Sequence, residues 1–481
     1  MKLLLKKSYF SLLILFFTPL AIGFIYRLYS AQIFVNEPHT EMFGNILLTG
    51  FAVLSLIIFL TEIITHRKIL QPLFSVDTFV FISLTLLLVL SVFKKEVGIY
   101  ATGFFVLFAL MSLFVHEKFY TLNNVYFFIF LYAVCLMLGT IYTPRGFYFP
   151  EMTYTFYVLP LAFSLFRLKK QSLLLILKIV FRIMAVYMAV SIVYWWFNLL
   201  VLNMSALEWI TTKFPPAYFY VGKWGHYSHP SYISLVLFST LISGFYLNFK
   251  KDKDVTLSKF ELITYFGLCL GFVLIMESRI GLVELIIIIV ISLLYYIRLK
   301  TNYLKHALVL AVLAGMIILM AGENKFSRLI HDGVRKADFT LAVNYIKEHP
   351  VAGAGYHQQR AALEYQDKKM TDVTRPADAP PITYTHNQFL GDMVQFGIPG
   401  LLPLLILLGG LVWYAFKSRS YLLQLYMLIY LLFMLIEEPL YAQEGITRFM
   451  AFLCLFIHIS ECDKPVKVHR LRNLFSKGEP A

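Results

Sequence analysis

Apolar stretches of roughly 17 to 22 residues recur from one end of the chain to the other, each broken by a few polar or charged positions. They fall near residues 8–26, 43–64, 77–93, 99–115, 122–142, 153–166, 173–198, 229–247, 258–276, 281–297, 306–321, 398–415, 421–437 and 444–460. A stretch of that length crosses a hydrocarbon core of about 30 Å as a helix. Backbone N–H and C=O groups in lipid must be paired within the segment, which leaves the helix as the state for such runs. The pattern therefore predicts an all-α polytopic membrane protein of about 12–14 transmembrane helices. The count is 12 if the weakly separated pairs around 77–115 and 258–297 are read as single elements.

Two connections are too long to be simple turns. One spans 199–228 and is rich in Tyr, Phe and Trp; the other spans 322–397 and has an ordinary soluble composition. In the second, Arg335 to Glu348 reads as an amphipathic helix with Phe339, Ala342, Tyr345 and Ile346 on one face, stopped by His349-Pro350. Residues 376–383 contain three prolines and read as extended. The chain thus divides into helices and short loops over 1–321, a large, partly helical loop at 322–397, the last three helices at 398–460, and a basic tail at 461–481.

Composition narrows the class further. Of 481 residues, 59% are apolar and only 15% charged, which excludes a cytosolic enzyme, a nucleic-acid-binding domain and a disordered scaffold. The net charge of +14 is spread over loops and builds no single basic face, so no nucleic-acid partner is expected. Lys2/Lys6/Lys7, Arg67/Lys68, Lys118, Arg167/Lys169/Lys170, Lys250/Lys251/Lys253, Arg298/Lys300/Lys305, Lys417/Arg419 and the tail all lie on one side of the predicted membrane. That bias sets both termini in the cytoplasm and both long loops outside. Residues 8–26 read as a first membrane helix, because the apolar run continues past the small residues of Ala21-Ile22-Gly23. Cys135, Cys269 and Cys454 lie inside apolar segments and Cys462 at the end of one, leaving no loop disulfide.

Residues able to do chemistry gather in the outer segments. The sharpest local pattern is Thr385-His386-Asn387-Gln388, running to Gly397-Ile398-Pro399-Gly400. Thr385 reads as an N-cap with His386 in the first turn of a helix entering the membrane, a place whose N–H groups favour anions. A neutral His beside a bound phosphate is what a general base needs, although the same residue also serves as a plain cap or a satisfied polar group. Glu277-Ser278-Arg279 lies between two apolar runs; Arg279 either grips phosphate or pairs with Glu277 or Glu284 to fix helix packing. Glu437, Glu438 and Arg448 pose the same choice, and there the packing ion pair is the favoured reading. Lys223-Trp224-Gly225-His226-Tyr227-Ser228-His229-Pro230 mixes aromatic and polar side chains, as contacts to a sugar or a lipid headgroup do. Two weaker patterns, Asp252-Lys253-Asp254 in a short inner turn and Glu37 with His39 and Glu41 in the first outer loop, have metal-like spacing without the ligand count a site requires. There is no Gly-rich phosphate loop, HExxH or GxSxG.

His386-Asn387, nine residues, Gly397, two residues and Gly400 resemble the H-[N/S/Q]-x9-G-x-x-[G/T/Y] signature of bacterial O-antigen ligases. His349-Pro350-Val351-Ala352-Gly353-Ala354-Gly355, preceded by Arg335, resembles the hP-x-x-G-x-G segment of the wider O-antigen ligase/polymerase superfamily. Ser278-Arg279-Ile280-Gly281 resembles its Ser-Arg-x-G segment, and Gly225 with His229-Pro230 its G-x-x-x-[H/N]-P element. Together these cover about residues 221–400, in the family's order. The resemblance implies transfer of a glycan from undecaprenyl diphosphate to an acceptor hydroxyl at the periplasmic face of the inner membrane. The acceptor is lipid A–core for a ligase and another lipid-linked glycan for a polymerase. It implies His386 as general base, Arg279 and Arg335 for the departing diphosphate, and Lys223, His226, His229 and Asn387 as substrate contacts, with no cofactor and no metal. The family has an Arg near the G-x-x-x-H-P element where this chain has Lys223, which neutralises phosphate without a bidentate grip. The polymerases' R-x15-G pattern is not met, since seventeen residues separate Arg335 from Gly353. A different class, a transporter or flippase, would rely on midplane charges such as Lys178 and Arg182.

Overall fold

The computed structural model describes residues 38–69, 75–93, 95–120, 122–142, 153–201, 230–250, 255–275, 278–297, 333–356, 358–370, 385–462 and 468–470. Twelve of the fourteen apolar runs fall on these residues, and each forms a helix. They are α1 (Pro38–Thr65), α2 (Val76–Leu90), α3 (Lys95–His116), α4 (Val125–Leu138, extended by a 3-10 turn at Gly139–Tyr142), α5 (Tyr154–Ser164) and α6 (Lys170–Val201). After these come α7 (Pro230–Lys250), α8 (Lys259–Ile275) and α9 (Arg279–Ile297). The outer loop contributes α10 (Gly333–Glu348), α11 (Gln359–Lys369) and α12 (Gln388–Phe396), and α13 (Ile398–Lys417), α14 (Tyr421–Met434) and α15 (Gln443–Glu461) close the bundle. Both weakly separated pairs are two helices each, α2 with α3 and α8 with α9. The runs at 8–26 and 306–321, the loop at 199–228 and the prolines at 376–383 lie outside the described residues.

Among the described residues five helices are long and apolar enough to cross a membrane: α1, α3, α6, α7 and α13. The chain is an all-α polytopic membrane protein. Burial sorts these helices into centre and rim, with 72% of the span of α6 buried against 17% for α1. The exposed large apolar side chains of α1 are Ile46, Val53, Leu54, Leu56, Ile57, Leu60 and Ile64, a face suited to lipid. At the centre, α6 packs on α1, α2, α7 and α8 through Leu173, Ile176, Val180, Met184 and Tyr187, all essentially inaccessible.

Long-range contacts sort the helix ends into two faces. On one face, Lys118–Tyr120 (β1) pairs antiparallel with Val468–Arg470 (β2), Phe119 opposite His469. There Asn123 donates to Glu461, and Arg167 donates to the Cys462 carbonyl at 3.2 Å. The same face holds a buried charge network. Glu62 of α1 meets Lys178 at 3.5 Å, His66 at 3.3 Å and the guanidinium of Arg182, whose Nε also donates to Glu261 of α8 at 2.7 Å. Lys178 and Arg182 therefore tie α6 to its neighbours by ion pairs with Glu62 and Glu261.

On the opposite face, the fully buried Arg448 of α15 donates through Nε to the Ser91 carbonyl at 2.5 Å and through Nη2 to those of Val92 and Phe93. Its guanidinium thus closes the C-terminus of α2, where carbonyls lack helical partners and the dipole favours a cation. The outer loop rests on this face around a small core of Leu341, Ala342, Tyr345, Ala362, Leu363 and Val394 from α10, α11 and α12. The buried side of α10 runs through Ala337, Asp338, Leu341, Ala342 and Tyr345, turned slightly from the predicted stripe, with Phe339 only partly covered. The helix stops at Glu348, as the following His-Pro requires.

Candidate active site

The segment after the α10 stop locks the outer loop onto the bundle. The Ala354 and Gly355 N–H groups donate to the Val394 and Gln395 carbonyls at 2.8 and 2.7 Å, and the Ile398 N–H donates to the Pro350 carbonyl at 3.0 Å. Approach this close requires glycine at two points. A Cβ on Gly353 would lie 2.3 Å from the Gln395 carbonyl carbon, and one on Gly397 would lie 2.5 Å from the Val351 oxygen. Gly397 also has φ +65° and ψ −155°, a region essentially reserved for glycine. The predicted continuous helix into the membrane is consequently two helices, α12 and α13, broken at Gly397.

The N-terminus of α12 also differs from the expectation. Asn387 is the N-cap, its side-chain oxygen accepting from the Leu390 N–H at 3.0 Å. His386 precedes the cap at φ +53° and does not occupy the first turn. Thr385 is engaged elsewhere. Its N–H donates to Glu438 Oε1 at 2.8 Å, and its hydroxyl bridges Glu438 and the Asn387 carbonyl. A non-glycine residue held in the left-handed region costs about 1–3 kcal/mol and persists only where its surroundings enforce it.

The surroundings are the turn after α14. The Asn387 side-chain N–H donates to the Leu435 carbonyl at 2.9 Å, and His386 Nδ1 faces Glu437 Oε2 at 3.7 Å. The other oxygen of Glu437 accepts from Arg335 Nη2 of α10 at 3.3 Å. One nearly buried carboxylate, 8% exposed, thus stands between an imidazole 29% exposed and a guanidinium 34% exposed. An imidazole, a carboxylate and a guanidinium share one open edge.

Below this edge lies a buried polar layer. Gln359 Nε2 donates to Glu438 Oε1 at 2.9 Å; Gln388 donates to Asp392 at 2.8 Å and accepts from the Leu440 N–H at 3.0 Å. Tyr132 of α4 donates to Asp392 at 3.1 Å, and Tyr441 does so from the turn. Burial pushes the Asp392 carboxyl up to about 7, against hydrogen bonds from Tyr441, Gln388 and Tyr132 that favour its charged form. Burial also raises Glu438, opposed by its bonds from Thr385 and Gln359 and by the nearby His386.

The structure brings together His386, Asn387 and Arg335 among the residues expected from sequence. Arg279 is the first residue of α9, whose opening turn packs through Gly281 near Ser234 of α7. Tyr232 of α7 donates to the Glu438 carbonyl at 3.2 Å, so α7, α9 and the 435–438 turn meet at one face. Lys223, His226, His229 and Glu277 lie outside the described residues. Glu437 and Glu438 do not form the packing pair with Arg448: that guanidinium serves carbonyls, and the two carboxylates serve the His386 segment. The signal available for them was two adjacent acids, then Pro439, at the outer end of an apolar run. The metal-like pattern at residues 37–41 falls on the start of α1 from Pro38, while Glu37 and 252–254 lie outside the described residues.

Residues 264–405 match the family model described as O-antigen ligase. The match runs from α8 into α13 and takes in α9, the His-Pro segment and the His386 turn. The match covers 142 of the 481 residues and shows that this segment is similar to that family. No curated protein matches the chain.

Proposed function

We propose that this chain, which carries the O-antigen ligase-like segment at 264–405, is a glycosyltransferase of the bacterial inner membrane. It moves a glycan from undecaprenyl diphosphate to an acceptor hydroxyl at the periplasmic face, with both termini in the cytoplasm and O-antigen ligation to lipid A–core as its reaction. The observation that carries this reading is the juxtaposition of His386, Glu437 and Arg335 at one edge of the outer loop.

His386 Nδ1 lies 3.7 Å from Glu437, and in this scheme the proton sits on Nδ1 so that Nε2 accepts one. The acceptor oxygen attacks the anomeric carbon while its proton passes to Nε2, and the bond to the diphosphate oxygen breaks. The imidazolium that forms is stabilised by Glu437, and negative charge grows on the leaving diphosphate. Arg335 at the edge and Arg279 at the start of α9 supply the compensating charge. In this scheme Asn387, Lys223, His226 and His229 contact substrate, and the leaving group is good enough to depart without a general acid. No step requires a metal or a cofactor.

The test is a gel of surface glycans from a deletion strain complemented with the wild-type chain or His386→Ala. Full-length glycan retained on undecaprenyl diphosphate and absent from lipid A–core, with His386→Ala, supports the ligase. Accumulation of single repeat units indicates a polymerase, and an unchanged banding pattern rejects the reading.

A further inference from the structure

Three consecutive residues at the candidate site are each held by a different residue of one turn. Asn387 donates to the Leu435 carbonyl, His386 faces Glu437, and Thr385 donates to Glu438. Only the middle residue presents a reactive side chain, and only that residue has a left-handed backbone. Glu438 is 4% exposed and receives the Thr385 N–H, the Thr385 hydroxyl and the Gln359 amide on one oxygen, Oε1. Its second oxygen has no hydrogen-bond partner and lies against Gly391, where an added Cβ would come within 3.1 Å. The carboxylate is thus wedged between the backbone of α12 and the residue before His386, at a distance from the open edge.

From this geometry we infer that Glu438 is a positioning residue: through Thr385 it keeps His386 in its left-handed conformation and so fixes where the imidazole meets the acceptor hydroxyl. It touches neither donor nor acceptor. The adjacent acids Glu437 and Glu438 divide the work, one orienting the imidazole ring and the other setting the backbone that carries it. The inference rests on the reading of His386 as the base.

The experiment uses the purified full-length chain, with the donor glycolipid and the lipid A–core acceptor both extracted from a strain that lacks it. Displacing a catalytic group by about 1 Å costs about 10²-fold in rate. Glu438→Ala is accordingly expected to lower kcat by about that factor with KM unchanged, whereas Glu438→Gln, which keeps an oxygen acceptor, restores most of the rate. The double variant His386→Ala/Glu438→Ala should equal His386→Ala alone, because a residue acting through His386 has nothing to add once the imidazole is gone. Wild-type kcat in Glu438→Ala beside an inactive His386→Ala overturns the positioning role and leaves the proposed function standing. So does a double variant slower than His386→Ala at equal folded protein. A fully active His386→Ala removes both readings together. Should Glu438→Ala fail to insert, Thr385→Val deletes only the bridging hydroxyl: a several-fold loss in kcat at constant KM is expected, and an unchanged kcat overturns the inference.

Discussion

Gly353 lies directly against Gln395, so close that a single added carbon would fall 2.3 Å from the Gln395 carbonyl carbon. The contact joins the segment after the His-Pro stop to the end of α12, two stretches that sequence shows only as separate motifs. Gly353→Ala is expected to part them and to destabilise the outer loop by at least the roughly 1–3 kcal/mol typical of overpacking. Lower thermal stability in detergent and weaker amide protection at Gly355, which donates to the Gln395 carbonyl, are the measurements that check it.

His386→Ala is expected to reduce glycan transfer by the roughly 10² to 10⁴ lost with a general base. Protein level and insertion should stay normal, since His386 sits at an edge outside the apolar core. Glu437→Gln should cost less than His386→Ala, because an amide keeps an oxygen beside the imidazole but no longer offsets the imidazolium charge. Transfer rates on purified variants decide the order.

Asn387→Ala removes the cap of α12 and the bond to the Leu435 carbonyl. Loss of such a cap costs about 1 kcal/mol. Faster hydrogen exchange at Leu390, together with reduced transfer at unchanged protein level, is the expected outcome.

Asp392 gives the fold a pH dependence of definite sign. Its carboxyl titrates near 7 in the folded chain and near 4 when unfolded, so between those values the folded state holds a proton that the unfolded state has released. Stability therefore falls as pH rises from about 4 to about 7 and levels off above. Thermal unfolding in detergent should show a higher Tm at pH 5 than at pH 8. Asp392→Asn should shrink that difference, and an equal difference in the variant would count against the assignment.

The charge network on the opposite face predicts a loss of stability without a loss of chemistry. Glu62→Ala leaves Lys178 and Arg182 short of their shared partner, and breaking a buried pair costs about 3–5 kcal/mol. The variant protein that does fold should transfer glycan with normal kcat. A selective loss of transport with intact stability would instead restore the transporter reading of these charges.

Much of the fold could be read from sequence because a bilayer leaves the backbone few choices. Apolar runs from Val76 to Leu90 or from Ile398 to Lys417 have no stable alternative to a helix in lipid. The outer loop offered less. α11 buries Gln359 and Gln366 beside Ala362 and Leu363, so its inner side carries no continuous apolar period. At the site, the composition of Thr385-His386-Asn387 pointed to a capped helix start, but which residue caps it was settled by Glu438, which draws Thr385 away. That carboxylate lies 53 positions further along the chain, beyond the reach of any local pattern.

The grip of Arg448 on the end of α2 also bears on how the chain is made. The guanidinium is 357 positions from the Ser91 carbonyl that it serves, so the α2–α3 hairpin enters the membrane with the end of α2 still open. The contact that closes it in the finished fold becomes available only once α15 has been made. Assembly of the first helices is therefore completed by nearly the last one. A ribosome stalled or a chain cut short before α15 should leave an N-terminal half that has inserted but not matured, a ready target for the membrane proteases that clear unfinished proteins.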